Sequence, residues 1–324
     1  KKKDSTQSSL KLTEEEIDAI LDKFIYKYFR AISSYADDAL RLVIGRLGEY
    51  LRDHNETDFK SGEDFADKLL DELGKSFANG WSSTRAVQAI KRTTKSIYEF
   101  FRLKDVTPFG DESPIKLKLG GADTKSIKFI GDLDHFYFSK FADNTSEPLR
   151  KFFVEQYFEN GAALFGRESS EELEAFRKAA GERLKNLTDR QTKTIIQTAV
   201  QRIRNWSHIG SLSQARIRYA RYAATLDSRT TEICRGIDGK KIKVGVAQTA
   251  IERLNQLEPG DFALELYESN AAKAFRKDPV GWLETEIDDE GFVSDAMTAN
   301  GLAIPPLHPN CRTRLSGILE KLED

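Results

Sequence analysis

The sequence predicts a mainly α-helical protein: an elongated helical N-terminal body joined to a small α+β C-terminal domain that contains a β-hairpin. Apolar residues recur at helical spacing over most of the first 226 residues, as in Ile17, Ile20, Leu21 and Phe24. After Leu226 this periodicity gives way to short apolar runs and turn residues. Four regions follow from these observations: 1–104, 105–122, 123–225 and 226–324.

Helix boundaries are marked in the N-terminal region by capping residues. Thr13 and Glu16 have the spacing of a capping box, and Ser61 with Asp64 marks the start of a second helix. A third amphipathic helix is predicted over 83–103, so residues 1–104 form a helical region. Two prolines and three glycines within 104–122 predict a linker or a small hairpin over 105–122.

Helical periodicity returns at residue 123 and continues to residue 226, which predicts a series of helices that lead into the C-terminal domain. Two of these are expected over 190–206 and 213–226. Beyond them, Asp238 and Gly239 lie between short apolar runs, a pattern typical of a type I′ hairpin. Further helices are expected at 246–257 and 268–276, with a Pro-Gly turn at 259–260 and a loop before Pro305.

Composition limits the classes of function. The 324 residues are 39% hydrophobic and 31% charged, with a formal net charge of −2, so no global field favours nucleic acid or anionic lipid. No apolar run approaches the length that crosses a bilayer, and no secretory signal is visible. The chain contains two cysteines, which excludes a disulfide framework and suits a reducing cytoplasm. No membrane partner is expected.

The stretch "PPLHPNCRT" places His308 and Cys311 three residues apart in a turn stiffened by Pro305, Pro306 and Pro309. Together with Cys234, these residues supply three of the four ligands of a structural zinc site, with Asp227, Asp238 or water as the fourth. Three alternatives remain open: two reduced thiols beside a turn histidine, a Cys234–Cys311 disulfide, or a catalytic Cys-His pair. Asp227 and Arg229 are expected on one face of a strand, as part of an ion pair or an interface.

Two groups of residues near the C-terminus resemble the phage head morphogenesis family typified by the Mu F protein of tailed phages. Their positions are Asp227, Arg229, Thr230, Cys234, Ile237, Asp238 and Gly239, followed by Pro305, Pro306, His308, Pro309, Cys311 and Arg312. The helical lead-in extends the similarity over roughly residues 123–320. This chain departs from relatives with additional cysteines, because it carries Thr231 and Thr313 at those positions, and its 240–304 segment is long.

The resemblance implies a minor head protein, not an enzyme, that binds the portal and capsid proteins in the virion head or in the host cytoplasm during assembly. A cysteine- or metal-dependent enzyme that uses Cys234, His308 and Cys311 is one alternative. A module that binds double-stranded DNA is the other. Its expected contact residues lie in two adjoining helices: Arg202, Arg204, Arg216, Arg218 and Arg221.

Overall fold

The structure is a computed structural model that describes residues 14–104, 117–165, 170–268 and 270–318. Within these ranges, twelve α-helices and two short 3-10 helices accompany one three-stranded sheet near the C-terminus. This arrangement confirms the predicted fold class of a mainly α chain with a small α+β part. Residues 105–116 of the predicted linker, and Thr13 of the predicted capping box, lie outside the described residues.

Six longer helices cover the first two thirds of the chain. Their bounds are α1 Glu14–Asp53, α2 Gly62–Trp81, α3 Thr84–Lys104, α4 Gly121–Ser139, α5 Phe141–Asn160 and α6 Glu171–Gln214. The predicted cap of α2 is confirmed, because the Ser61 side chain accepts a hydrogen bond from the backbone N–H of Asp64.

Shorter helices and the sheet make up the remainder. The helices are α7 Glu232–Ile237, α8 Val244–Leu254, α9 Pro259–Glu268, α10 Asn270–Lys277, α11 Pro279–Glu286 and α12 Asp295–Ala299. The strands are β1 Tyr219–Ala223, β2 Lys241–Lys243 and β3 Arg314–Ile318. They are ordered β2-β1-β3, and β1 pairs antiparallel with both neighbours.

The chain divides into two compact units, each built from separate segments. The first, here called the sheet unit, comprises the described parts of 1–27, 91–133 and 197–324. The second, called the helical unit, comprises 28–90 and the described parts of 134–196. Each unit has its own buried core, and the residues singled out near the C-terminus all belong to the sheet unit.

The helical unit is centred on large aromatic side chains. Tyr28, Phe65, Trp81 and Phe153 are almost completely buried. The Tyr28 hydroxyl donates to the buried Asp134 carboxylate at 2.8 Å, so this polar group in the core is paired.

In the sheet unit, the strands alternate between a buried and a more exposed face. Ala220, Tyr222, Ile242 and Leu315 are buried, as the two-residue period of a strand requires. The Tyr222 hydroxyl donates to the carbonyl of Ala303 at 2.7 Å, which joins the sheet to the segment that precedes the proline-rich turn.

Helix α6 continues past the predicted end at residue 206 and ends at Gln214, within the segment predicted as a separate helix over 213–226. Arg216 adopts a positive φ of 60°, and the N–H of Ile217 donates to the carbonyl of Leu212 at 2.9 Å. The N–H of Arg216 donates to Ser213, which completes the hydrogen-bond pattern of a Schellman cap. The predicted helix over 213–226 is therefore wrong, because the chain leaves this cap and forms strand β1.

The predicted type I′ hairpin at Asp238 and Gly239 is also wrong. Residues 232–237 form helix α7, so strands β1 and β2 are joined by a longer connection. Asp238 has φ −56° and ψ 135° and Gly239 has φ 73°, and these angles fit a type II turn. Type I′ requires a positive φ at both positions, which Asp238 does not have.

Two smaller predictions are corrected by the same part of the structure. Residues 227–229 lie in a turn and not in a strand, so Asp227 and Arg229 do not share a strand face. Pro259 and Gly260 begin helix α9, where a proline in the first turn loses no intrahelical hydrogen bond.

Candidate functional site: a cysteine and histidine cluster

The three residues predicted as metal ligands lie together in the sheet unit. The Sγ atom of Cys234 is 3.8 Å from Sγ of Cys311 and 3.1 Å from Nε2 of His308. All three donor atoms lie within 4.8 Å of one another. Both cysteines are buried and His308 is partly buried, so the tertiary structure gathers three scarce side chains at one point.

Helix α7 positions Cys234. Thr231 is its N-cap, and the Thr231 hydroxyl accepts from the N–H of Cys234 at 3.4 Å. The same hydroxyl lies 2.9 Å from Nε2 of His308. Thr231 therefore connects the start of α7 to the proline-rich turn.

The segment 305–313 positions His308 and Cys311. The Pro305–Pro306 peptide is cis, and Asn310 has a positive φ of 60°. The N–H of Cys311 donates to the carbonyl of His308 at 3.1 Å, which closes the turn. The backbone N–H of Asn310 donates to the hydroxyl of Thr198 on α6 at 3.1 Å. Asn is one of the residue types that tolerate this left-handed conformation.

A buried asparagine on α6 holds the chain directly after Cys311. Asn205 donates to the carbonyl of Thr313 at 3.2 Å and accepts from the N–H of Leu315 at 3.1 Å. Its side chain thereby satisfies backbone groups at the start of β3, much as a neighbouring strand would. Asn205 was not predicted, because polar residues surround it in the helix sequence and nothing sets it apart from them.

An ion pair joins the two sequence motifs on the outer side of the cluster. Nη2 of Arg312 lies 2.6 Å from Oδ1 of Asp227, and both side chains are about one third exposed. Arg229 is mostly exposed, and its guanidinium lies 3.4 Å from Asp227. The Arg312 guanidinium, helped by the N–H of Arg229, holds the pKa of Asp227 well below its usual range.

The remaining motif residues have structural positions. Oδ1 of Asp238 accepts from the N–H of Ala224 at 2.8 Å, so this carboxylate bonds the end of β1. Gly239 provides the positive φ of the type II turn. Pro306 is partly exposed and Pro309 is exposed, on either side of His308.

The two sulfurs of the cluster differ in their acidity. The hydrogen bond from Cys311 and the contact with His308 lower the pKa of Cys234 to about 4 against the opposing effect of burial. Burial and the neighbouring Cys234 raise the pKa of Cys311 well above its usual value. Burial lowers the pKa of His308, but the Cys234 hydrogen bond and charge outweigh it and the net direction is upward. Cys234 is therefore the more acidic of the two thiols.

Neither predicted carboxylate supplies a fourth ligand. The group of donor atoms found among the described residues contains Cys234, His308 and Cys311 alone. Asp227 is engaged with Arg312, and Asp238 with Ala224. A cavity of about 10 Å³ lies beside the cluster, lined by residues that include Thr231 and Thr313. This volume has room for about one water molecule.

The predicted arginine surface has to be corrected. Arg202 and Arg204 are 3% and 4% exposed, so neither can contact a DNA backbone. Arg202 packs over the Phe262 ring, and Arg204 donates to Asn205. Three of the five predicted arginines are exposed, but they follow α6 or lie in β1 and not in an adjoining helix: Arg216, Arg218 and Arg221.

Comparisons with protein-family models, curated proteins and solved structures produced no match to this chain. Among the described helices, none combines the length and the apolar character that crossing a bilayer needs. The site is therefore interpreted from its own geometry, together with the resemblance carried by its motifs.

Proposed function

We propose that this chain is a minor head protein of a tailed phage or prophage. In this role it binds the portal and capsid proteins at the portal vertex during capsid assembly and during DNA packaging or delivery. It is then found in the virion head, or in the host cytoplasm while heads assemble. The main support for the proposal is that the two sequence motifs that resemble this family lie together in one site, where Asp227 pairs with Arg312 at 2.6 Å.

The character of the site supports a role in binding. Both sulfurs are buried, at 3% exposure for Cys234 and 1% for Cys311. The adjoining cavity of about 10 Å³ has no room for an organic substrate. A turn that has a hydrogen bond from Asn310 to α6 and an external ion pair suits a surface of constant shape.

A cysteine-dependent enzyme is the second candidate, because Cys234 lies 3.1 Å from the His308 ring and has a lowered pKa. A thiolate beside an imidazolium is the resting state of many cysteine nucleophiles. If Cys234 is a nucleophile, a small alkylating reagent such as iodoacetamide will label it faster than a free thiol at pH 6. Slow labelling in the folded chain, followed by full labelling after denaturation, removes this candidate.

DNA contact through the more exposed face of the sheet is compatible with the main proposal. Arg221 lies directly opposite Lys241 in the β1–β2 register, and Tyr219 lies opposite Lys243. Like charges placed opposite each other destabilise a pair of strands, and bound phosphates relieve that repulsion. Lys241 also lies 4.3 Å from the centroid of the Phe292 ring, and Lys243 pairs with Asp295 at 3.0 Å.

The main proposal is tested by co-assembly. The chain is expressed with the portal and capsid genes that accompany it, and the lysate is separated by sedimentation and probed with an antibody. We expect the chain in fractions that contain capsid-sized particles, in a defined number of copies per portal. A chain found only at the top of the gradient, in lysates that do contain assembled heads, contradicts the proposal.

A matched pair of variants makes the experiment specific to the site. Arg312→Ala removes the ion pair with Asp227, and we expect less of this variant in the capsid fractions. Arg41→Ala removes an exposed arginine of α1 whose partner is Asp38, three residues away on the same helix. The proposal requires the Arg41→Ala chain to enter heads as the unchanged chain does.

A further inference from the structure

We propose that Cys234, His308 and Cys311 bind one zinc ion, with a water molecule as the fourth ligand. Thiolate sulfur and imidazole nitrogen are the donors that zinc prefers in structural sites. These three donors come from α7 and from the turn 305–313, which are more than 70 residues apart in the chain. The inference does not depend on a role at the portal vertex, so either proposal can fail without the other.

The separation of the two sulfurs fits a shared metal ion. Two thiolates at about 2.3 Å from a tetrahedral zinc lie about 3.8 Å apart. Sγ of Cys234 and Sγ of Cys311 lie 3.8 Å apart. A disulfide has an S–S length of about 2.05 Å, so these two cysteines are separate thiols in this structure.

The histidine presents the nitrogen that a metal needs. Nδ1 of His308 lies 2.7 Å from the carbonyl oxygen of Pro309, so Nδ1–H donates to that carbonyl. Nε2 faces Sγ of Cys234 at 3.1 Å and the hydroxyl of Thr231 at 2.9 Å, so the neutral ring directs its lone pair into the cluster. Zinc-bound histidines commonly have such a second hydrogen bond, which sets the tautomer and the orientation of the ring.

The fourth position lies at the small cavity. Thr313 is 1% exposed, and its Oγ1 atom is buried without a hydrogen-bond partner among the described residues. Thr313 lines the cavity together with Cys234 and His308. A water molecule bound to the metal fits the cavity of about 10 Å³ and can donate to the Thr313 hydroxyl. Buried polar atoms are rarely left unpaired, so a solvent ligand explains this orphan.

Zinc binding has a structural consequence for the sheet unit. The ion joins α7, which follows β1, to the turn that precedes β3. Zinc binds both sulfurs as thiolates and the His308 ring in its neutral form, so any proton that these three groups carry is released to solvent on binding. Because the unfolded chain does not hold the three donors together, the ion stabilises the folded state.

The test begins with the purified full chain prepared without chelators. We expect elemental analysis to find about one zinc ion per chain, held by three protein ligands. Replacement of zinc by Co²⁺ should produce sulfur-to-metal charge-transfer absorption together with the visible bands of tetrahedral Co²⁺. Cys311→Ser and His308→Gln should each lose most of the bound metal, whereas His135→Gln, in the helical unit, should retain it.

Several results would overturn the inference. One is a folded wild-type chain that binds neither ion when Zn²⁺ or Co²⁺ is added in excess. Another is a Cys234–Cys311 disulfide, detected as the absence of free thiols in the denatured chain. If the ligand variants do not fold, the Co²⁺ spectrum of the wild-type chain decides whether the sulfurs bind the metal. A Co²⁺-loaded chain without sulfur-to-metal charge-transfer absorption contradicts thiolate ligation. Bound iron in place of zinc would contradict the identity of the metal.

Discussion

Arg312 and Asp227 are separated by 85 residues in the chain, and their guanidinium and carboxylate groups lie 2.6 Å apart. Each belongs to one of the two motifs near the C-terminus, so this ion pair joins the motifs on the outer side of the cysteine and histidine cluster. The carbonyl of Asp227 also accepts from Nη2 of Arg235 on α7 at 2.6 Å. The turn at 227–230 is therefore bonded both to α7 and to the proline-rich turn.

The first prediction concerns this ion pair. Arg312→Ala and Asp227→Ala should each lower the melting temperature, and the double variant should be little worse than either single one, because both lose the same interaction. Calorimetry of the four chains measures the coupling. Arg229→Ala is the control, since its side chain is 77% exposed and should change the melting temperature little. Additive losses in the double variant would show that the two residues act independently.

The pH dependence of this interaction follows from the pKa of Asp227, which Arg312 holds below its usual range. A carboxylate with a depressed folded-state pKa stabilises the fold above its unfolded pKa of about 4, and the stabilisation is lost as pH falls through the folded value. Asp227→Ala should therefore lose less stability between pH 4 and pH 2 than the unchanged chain does. Denaturant melts at a series of pH values measure the difference.

The second prediction concerns Asn205. Asn205→Leu leaves the Thr313 carbonyl and the Leu315 N–H without their present partners. Each buried and unpaired backbone group costs about 1–3 kcal/mol, so the free energy of unfolding should fall accordingly. The loss should also expose Cys311 to alkylating reagents, because Asn205 holds the chain two residues after it. Ser316→Ala, an exposed position of β3, should stay within about 0.5 kcal/mol of the unchanged chain.

The third prediction concerns His208, which is buried and whose ring nitrogens have no hydrogen-bond partner among the residues that the structure describes. Burial, followed by the charge of Arg204, lowers its pKa to about 3. The unfolded chain, with a pKa of about 6.5, binds this proton more readily. The contribution of neutral His208 to the free energy of unfolding is therefore fully present above about pH 6.5. It is lost as pH falls toward 3, by up to about 1.4 kcal/mol per pH unit.

Replacement of His208 by leucine tests this directly. His208→Leu should remove that part of the pH dependence and stabilise the chain at pH 5, as measured by urea unfolding. His135→Gln is the control, because His135 is only partly buried and has a hydrogen bond from its ring to Trp81 O. An unchanged pH profile in His208→Leu would show that other groups cause the acid sensitivity.

The fourth prediction compares two glycines inside helices of the helical unit. A Cβ atom added at Gly80 would lie 2.6 Å from the Cα of Ala39, so Gly80→Ala should destabilise the chain by about 1–3 kcal/mol. At Gly45 nothing lies within 4 Å of an added Cβ, and Gly45→Ala should stabilise by about 0.5–1 kcal/mol. Urea denaturation measures both changes in the free energy of unfolding. Changes of opposite sign support the close contact between Gly80 and Ala39, and equal gains in stability contradict it.

The fifth prediction concerns the more exposed face of the sheet. Arg221→Ala combined with Lys241→Ala should weaken binding of a labelled DNA duplex at low salt. The slope of log affinity against log salt should become shallower by about two, since two phosphate contacts are lost. Arg41→Ala combined with Lys95→Ala removes the same amount of positive charge from helix surfaces. This control should change neither the DNA affinity nor its salt dependence. Equal losses of DNA affinity in both double variants would show that net charge alone causes the weaker binding.

Much of the secondary structure could be predicted because it depends on local pattern. Ser61 and Asp64 have the cap spacing that begins α2, and the structure has that cap. Prediction failed where short segments fit two structures. The short apolar run before Asp238 is typical of a hairpin strand, but these residues form part of α7, since such a run does not distinguish a buried strand from a short helix. Arginine is also rare at the left-handed position that Arg216 occupies.

The candidate site was predicted in part. The scarcity of cysteine and histidine singled out Cys234, His308 and Cys311, and all three are in the cluster. The role of Thr231 was not predicted, although its position three residues before Cys234 is typical of an N-cap. The contacts of Asn205 and Thr198 with the proline-rich turn and the chain after it could not be predicted, because nothing in the sequence indicates which helix packs there.

By itself, the sequence determined the helical character of most of the chain and the identity of the three scarce donor residues. These properties depend on side-chain chemistry and on spacings of a few residues. The tertiary structure alone decided that Arg202 and Arg204 are buried and that Arg312 reaches Asp227. The physical reason is that burial and pairing between distant segments depend on how the helices and strands pack, which local periodicity does not specify.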